Sequence, residues 1–360
     1  MKIACIVGAR PNFIKIAPIM KELARFPDQF QPVLIHTGQH YDPKLSDVFF
    51  QDLDIPAPDH HLGVAAGTQA QQTGEIMVKF DELCAAEKFD RVLVVGDVTS
   101  TLACAITAKK RWIPVDHVEA GLRSFDLTMP EEINRMVTDA VADLFFVTEP
   151  AGVKNLLHEG HAPEAIKLVG NVMIDSLLAN LEKAAAREKW RQYDLPAGGY
   201  ALVTLHRPSN VDSAARLRQL QHSLLAISRR LPLIFPVHPR TRKNLDPTLD
   251  SAGLVYCAPL GYMDFVSLMT GAKLVITDSG GMQEETTTLG IPCLTLRNNT
   301  ERPITMETGS NTLIGEDSTK LEGFVSDILA GAYKKGSVPE LWDGKTSERI
   351  VQVLTKAVRF

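Results

Sequence analysis

The chain has 360 residues, 45% hydrophobic and 22% charged, which is ample for a packed core and too long for one ordinary domain, so two domains are expected. A net charge of −5 gives no general attraction to nucleic acid or to an anionic membrane surface. No apolar run approaches the ~20 residues of a membrane span, which excludes a membrane-embedded protein of helical type.

In chain order, Ile3–Val7 is a β-branched run and reads as a first strand, too short for the apolar region of a signal peptide, so a soluble cytoplasmic protein is expected. It feeds Gly8-Ala9-Arg10-Pro11-Asn12, after which 13–26 carries apolar residues at helical spacing, with Pro18 as a local kink. Residues 33–36 form a second strand, followed by Gln39-His40-Tyr41-Asp42. Further strands read at 92–95, 114–118, 143–147 and 166–169, with an alanine-rich helix ending at Lys110 and another opening at Met129-Pro130. Residues 171–190 read as one long helix, and the cluster Leu195-Pro196-Ala197-Gly198-Gly199 is the strongest linker signal. A second series of strands then reads at 201–205, 233–237, 254–257, 274–277, 293–296 and 312–314, with helices near 213–229, 262–270, 282–289, 317–330 and 346–358. Repeated strand-then-helix units predict parallel sheets covered on both faces. The fold class is α/β, with two Rossmann-like doubly wound domains and a cleft between them.

The stretch 273–296 carries the clearest site signal. The strand ends at Asp278-Ser279-Gly280-Gly281 and a helix follows at once. Such a loop, at the positive end of a helix dipole with free N–H groups, suits a phosphate, although any tight strand-to-helix turn with a Ser or Asp cap would look the same. Glu284 and Glu285 follow one turn later, where a carboxylate can accept hydrogen bonds from a ribose. His206-Arg207 and His238-Pro239-Arg240 each end a strand of the same half, the edge where open α/β sheets bind ligands, and together they suit a diphosphate. Arg10 and Arg302 are further candidates. In the first half, Asp97, Glu119 and Glu131 each lie just past a strand or at the start of the next helix, with His117 on the same edge. Three carboxylates on one water-poor rim favour acid/base chemistry. The five cysteines show no CxxC or Cys/His ligand spacing, no HxxxH or HExxH occurs, and no metal site is expected.

The segments GARPNFIK, VGDVTST, HVEAGLRS, MPEEINR, TLHRPSN, PVHPR, TDSGGMQEE and NTERP occur in the order they take in the non-hydrolysing UDP-N-acetylglucosamine 2-epimerases, and the resemblance runs from Lys2 to about Gly315. It implies the two-Rossmann-domain architecture shared with GT-B glycosyltransferases and glycogen phosphorylase. It also implies a terminal helix packed back, giving domains of 1–171 plus 346–360 and of 172–345, a homodimer, and a reaction that needs neither NAD nor a metal. By position, the acid/base carboxylates fall on Asp97, Glu119 and Glu131, and the active-site histidine on His206. Diphosphate contacts fall on Arg10, His238, Ser279, Gly280 and Gly281, with the ribose carboxylate at Glu285, the uracil held by backbone at Phe265, and Lys15 on the lysine of the GxRPxxIK motif. The implied reaction is epimerisation at carbon 2 of a UDP-N-acetylhexosamine through elimination of UDP and re-addition to a 2-acetamidoglucal. Asn12 stands where many members have Glu or Gln, and Gln39–Asp42 replaces a QHRE-type segment that in some bacterial members helps form a regulatory site. Variants of several segments also occur in relatives acting on other sugars, such as a UDP-2,3-diacetamido-2,3-dideoxyglucuronic acid. A GT-B glycosyltransferase with a separate acceptor and a non-catalytic nucleotide-sugar sensor are the competing classes.

Overall fold

The computed structural model describes residues 1–38, 55–64, 67–246, 248–249 and 253–357, without the side chains of residues 10, 239, 240 and 357; Gln39–Asp42 lie outside the described residues. The chain divides into two compact units, Met1–Leu178 with Glu340–Phe360, and Ala179–Pro339. The division thus passes through the helix Val172–Ala185, seven residues beyond the boundary expected at 171. The Pro/Gly cluster 195–199 is not a linker but belongs to the second unit, where Gly198 N–H donates to Gly271 O at 2.7 Å. Nor is 171–190 one helix. The α-helix ends at Ala185, and a 3-10 turn, Lys189–Tyr193, follows Glu188 in the left-handed region at φ 41°. No described helix is long and apolar enough to cross a membrane.

In the first unit, strands β1 (Lys2–Val7), β2 (Gln31–His36), β3 (His60–His61), β4 (Arg91–Val95), β5 (Val115–Ala120), β6 (Leu144–Val147) and β7 (Ile166–Leu168) form a parallel sheet in the order β3-β2-β1-β4-β5-β6-β7. Residues of both parities along β1, Ile3 through Val7, are buried, as a sheet covered on both faces requires. One face packs Ile6, Val33, Val92 and Val94 against Ile76 and Phe80 of the helix Gln69–Ala86, an element the sequence reading passed over, as it did the two-residue β3.

In the second unit, β8 (Ala201–Thr204), β9 (Leu233–Pro236), β10 (Leu254–Cys257), β11 (Leu274–Thr277), β12 (Cys293–Thr295) and β13 (Asn311–Leu313) repeat the scheme as β10-β9-β8-β11-β12-β13, again all parallel. Leu217, Leu220, Leu224 and Ile227 of the helix Ala214–Ser228 recur at three- and four-residue spacing and bury one stripe against Val203, Phe235 and Ile276. In both units the strand order reverses beside the first strand, between β1 and β4 and between β8 and β11. Such switch points leave an opening at the carboxyl ends of the strands.

Two details tie down the ends of the first unit. Pro18 sits inside the helix Arg10–Leu23 and has no N–H to give the carbonyl of Ile14; the Ser176 hydroxyl donates to that carbonyl instead. The terminal helix Thr346–Ala357 begins on Asp175, whose carboxylate accepts from Thr346 N–H at 3.0 Å and Ser347 N–H at 2.7 Å. Two orphan donors of a helix start are satisfied by one buried side chain. Asp175→Ala is expected to lower unfolding free energy by about 1–3 kcal/mol, the cost of stranding buried donors. Urea melts showing no loss would remove this cap from the account of the terminal helix.

Candidate active site

In the first unit the expected acids gather at the carboxyl ends of β4 and β5. Gly96 follows β4 at φ 67°, and a Cβ there would stand 2.8 Å from Lys15 Nζ, so the bare backbone lets that ammonium in. Lys15 is 4% exposed and is ion-paired with Glu119, itself 3% exposed. Glu119 lies at an irregularity in the β5–β6 register and holds φ 74°, a conformation costly for a residue with a Cβ. Asp97 is half-buried and ion-paired with Arg135 of the helix Pro130–Val141. Asn134 Nδ2, one residue earlier on that helix, donates to Asp97 O at 2.8 Å. Glu131 is exposed in the first turn of the same helix and has no ion-pair partner among the described residues.

The acids are therefore not left to repel one another, since Asp97 and Glu119 each hold a cation. The sequence reading missed Arg135 as that partner, although its i+4 spacing from Glu131 placed it on the same helix face. It also put His117 with the acids on the working edge. The structure corrects this, because His117 is fully buried, with Nδ1 2.7 Å from Asp139 Oδ1 and Nε2 2.9 Å from Gly96 O. Asp139 Oδ2 also accepts from Gly121 N–H at 3.1 Å and pairs with Arg123 at 2.7 Å. Burial works to raise the Asp139 pKa, but His117 and Arg123 outweigh it and hold the carboxyl below its ordinary value. His117 and Asp139 thus brace the loops that carry Asp97 and Glu119. Glu132 is a second brace, accepting from Ser124 N–H at 2.9 Å and Phe125 N–H at 2.8 Å.

In the second unit the candidates gather at the carboxyl ends of β8 and β11, whose last residues, Thr204 and Thr277, place their hydroxyls 2.7 Å apart. The helix Gly280–Leu289 follows β11 directly, and its N-cap residue Ser279 makes no side-chain cap bond. Ser279 N–H donates to Thr277 Oγ1 at 3.0 Å, while the N–H groups of Gly280 and Gly281 have no acceptor among the described residues. Gly280 has a structural reason of its own: a Cβ there would meet Arg302 Nη1 at 2.6 Å and Glu301 Oε1 at 2.8 Å. Arg302 is 4% exposed beneath this turn, paired with Glu301 and with Glu284 at 2.7 Å. His206, 51% exposed at its side chain, follows β8 with Nδ1 3.1 Å from buried Asp278. His238 follows β9 and is exposed, while the Arg10 side chain lies outside the described residues. Phe265 is half-buried in the first turn of the helix Tyr262–Thr270, and its N–H donates to Gly261 O at 2.9 Å. Glu285 is 5% exposed, with Tyr262 Oη 3.4 Å from Oε1.

Comparison with known proteins adds identity to this geometry. Residues 21–355 match the family model described as UDP-N-acetylglucosamine 2-epimerase. A Methanocaldococcus jannaschii protein named UDP-N-acetylglucosamine 2-epimerase is 39% identical over 366 residues, covering 99% of each chain. A Pseudomonas aeruginosa protein named UDP-2,3-diacetamido-2,3-dideoxy-D-glucuronate 2-epimerase is 40% identical over 360 residues, covering 99% of this chain and 100% of its own. The crystal structure of the M. jannaschii UDP-GlcNAc 2-epimerase in complex with UDP-GlcNAc and UDP superposes with a TM-score of 0.90 over 99% of this chain and 100% of that one.

Burial, and then the neighbouring Glu284, push the Glu285 carboxyl up to about 8 from its ordinary value of 4.5. Between those values the native state keeps a proton that the unfolded chain releases, so this group's contribution to stability is present below pH 4.5 and is lost as pH rises towards 8. Glu285→Gln, neutral throughout, is expected to lose less stability than the parent from pH 5 to 8, by a few kcal/mol on the scale of ~1.4 kcal/mol per pKa unit. Parallel losses in urea melts at the two pH values would show that this carboxyl ionises freely.

Proposed function

The chain belongs to the UDP-N-acetylglucosamine 2-epimerase family, and from that premise we propose that it reversibly epimerises carbon 2 of a UDP-N-acetylhexosamine, interconverting UDP-GlcNAc and UDP-ManNAc. The observation that supports this reading best is the set of acids on the first unit's rim, with Asp97 and Glu119 held by buried cations and Glu131 open to solvent. A transferase that moves a sugar to a separate acceptor has no need of three acids there.

In this reading one carboxylate removes the proton at carbon 2 while the bond from carbon 1 to the diphosphate oxygen breaks. The released electron pair forms the double bond of a 2-acetamidoglucal, and UDP departs with the electrons of the broken bond. Re-addition of UDP to carbon 1, with a proton delivered to the opposite face of carbon 2, completes the reaction. The hydrogen at carbon 2 is weakly acidic, so its removal depends on the diphosphate taking up charge. The uncapped turn 279–281, His206, His238 and Arg10 serve that charge, as preorganised donors at a helix N-terminus do. Glu285 takes the ribose, Phe265 the uracil, and Lys15 holds Glu119 in place through their ion pair. Arg302 acts from beneath the turn.

The similarity to the P. aeruginosa diacetamido-glucuronate epimerase, as strong as that to the M. jannaschii enzyme, favours a second substrate, the corresponding UDP-diacetamido-uronic acid, for the same chemistry. A cytoplasmic setting fits five free cysteines. A homodimer fits the first unit's surface, where Trp112 is 92% and Phe125 80% exposed and Leu127, Ile133 and Met136 are exposed as well.

Proton NMR of UDP-GlcNAc with the protein in D₂O tests the central claim. Deuterium entering carbon 2, with UDP-ManNAc signals growing in, is the expected result. No exchange with that sugar, but exchange with the diacetamido-uronic acid, selects the second substrate; UDP release that waits for an acceptor overturns epimerisation in favour of transfer. Asp97→Asn, Glu119→Gln and Glu131→Gln are each expected to lower turnover ~10²–10⁴-fold, as lost acid/base catalysis does. Near-parental turnover in all three would overturn the assignment. Ser279→Ala is expected to weaken UDP binding by about 0.5–1.5 kcal/mol in calorimetry. Sedimentation of a monomer at micromolar concentration would remove the homodimer.

A further inference from the structure

We propose that Asp278 is a positioning residue that sets the tautomer of His206, keeping Nδ1 as the donor and leaving Nε2 as the one ring nitrogen offered to substrate. Asp278 is fully buried and accepts on every side. His206 N–H reaches both carboxylate oxygens at 3.1 Å, and Arg207 N–H reaches Oδ2 at 3.0 Å. Asn210 Nδ2 stands 3.2 Å from Oδ2, and His206 Nδ1 stands 3.1 Å from Oδ1. A carboxyl surrounded by N–H donors is held ionised, and an ionised carboxyl can only accept. The ring nitrogen facing it must therefore carry a proton.

The opposite end of the ring has a different environment. The His206 side chain is half-exposed, and Nε2 has no partner among the described residues. The ring thus spans from a buried anion to an open edge, between the ends of β8 and β11. When neutral it presents a lone pair at Nε2, and when protonated it presents an N–H to a phosphate oxygen. The same residue also shapes the loop, since Arg207 Nε donates to the main-chain O of Asp278 at 3.0 Å, and Asn210 Nδ2, which approaches the carboxylate, also donates to Leu296 O at 3.0 Å. Backbone donors alone would satisfy Asp278 as a loop pin. The additional approach of Nδ1 couples the loop's shape to the ring's orientation. Asp278 acts through His206, and its effect on turnover rests on the proposed epimerase reading, whereas the tautomer does not.

The test is nitrogen NMR of the full chain labelled with ¹⁵N-histidine, with His206 assigned by its disappearance in His206→Gln. The expected spectrum at a pH where the ring is neutral shows protonated Nδ1 and bare Nε2, and Asp278→Asn introduces the Nε2–H tautomer. A parental ring with its proton on Nε2, or a mixture of both, overturns the proposal, and this measurement needs no variant at Asp278 to fold. Turnover gives a second reading. Asp278→Asn alone should cost roughly tenfold to a thousandfold, within the range for lost acid/base assistance. In a His206→Gln background it should cost nothing further, because a residue acting through another adds no loss once that other is gone. Losses that multiply in the double variant would make Asp278 a loop pin and overturn its positioning role. A parental chain with no turnover but the Nδ1–H tautomer would sink the epimerase reading and leave this one standing.

Discussion

Buried carboxylates that accept backbone N–H groups are the constraint on which this structure depends. A parallel sheet delivers its loops to one edge, and each loop leaves that edge with peptide donors that no strand can pair. Here Asp278 takes two at the end of β8, Asp139 takes Gly121 at the end of β5, Glu132 takes Ser124 and Phe125, and Asp175 takes the first two of the terminal helix. Each of these acids is buried and is held at its place by several partners at once. The chain uses acidic residues in its interior as fasteners and leaves other acids, a few positions away, for the rim.

The two units share a strand order yet differ in the charge they bring to their switch points. The first presents carboxylates tempered by Lys15 and Arg135. The second presents an uncapped helix start, a histidine and, beneath the turn, an arginine already paired with Glu284 and Glu301. The rim acids and the donors suited to an anion thus fall to separate units, each with its own buried core. The same scaffold accepts either set of side chains because the sheet fixes only where a loop begins.

Much of this was legible beforehand. β-branched runs bounded by glycine marked the main strands, because a strand buried on both faces must be apolar throughout. The rim acids and the Ser279–Gly281 turn were found by their place just past those strands. What could not be read was which side chain answers which. Glu131 and Glu132 are neighbours of one type, yet one is exposed and the other locked to Ser124, and only the loop's path decides between them. His117 sat at the right edge and proved to face inward onto Asp139. The helix from 171 was read too long because nothing in Arg187-Glu188-Lys189 announces a left-handed residue; just past it Trp190 lies so close to Gly271 that a side chain there would meet it at 2.4 Å.

Glu119 carries a consequence for how such a protein changes over time. Its backbone sits at φ 74°, where glycine or asparagine rests more easily than glutamate, at a difference of order 1 kcal/mol. Its removal would relieve that strain but leave the buried Lys15 ammonium without the carboxylate it is paired with, and stranding a buried charge costs about 3–5 kcal/mol, more than the strain returns. Selection for stability alone would therefore keep the glutamate as long as the lysine is there, and a related chain with glycine at this position is expected to have changed at the lysine as well.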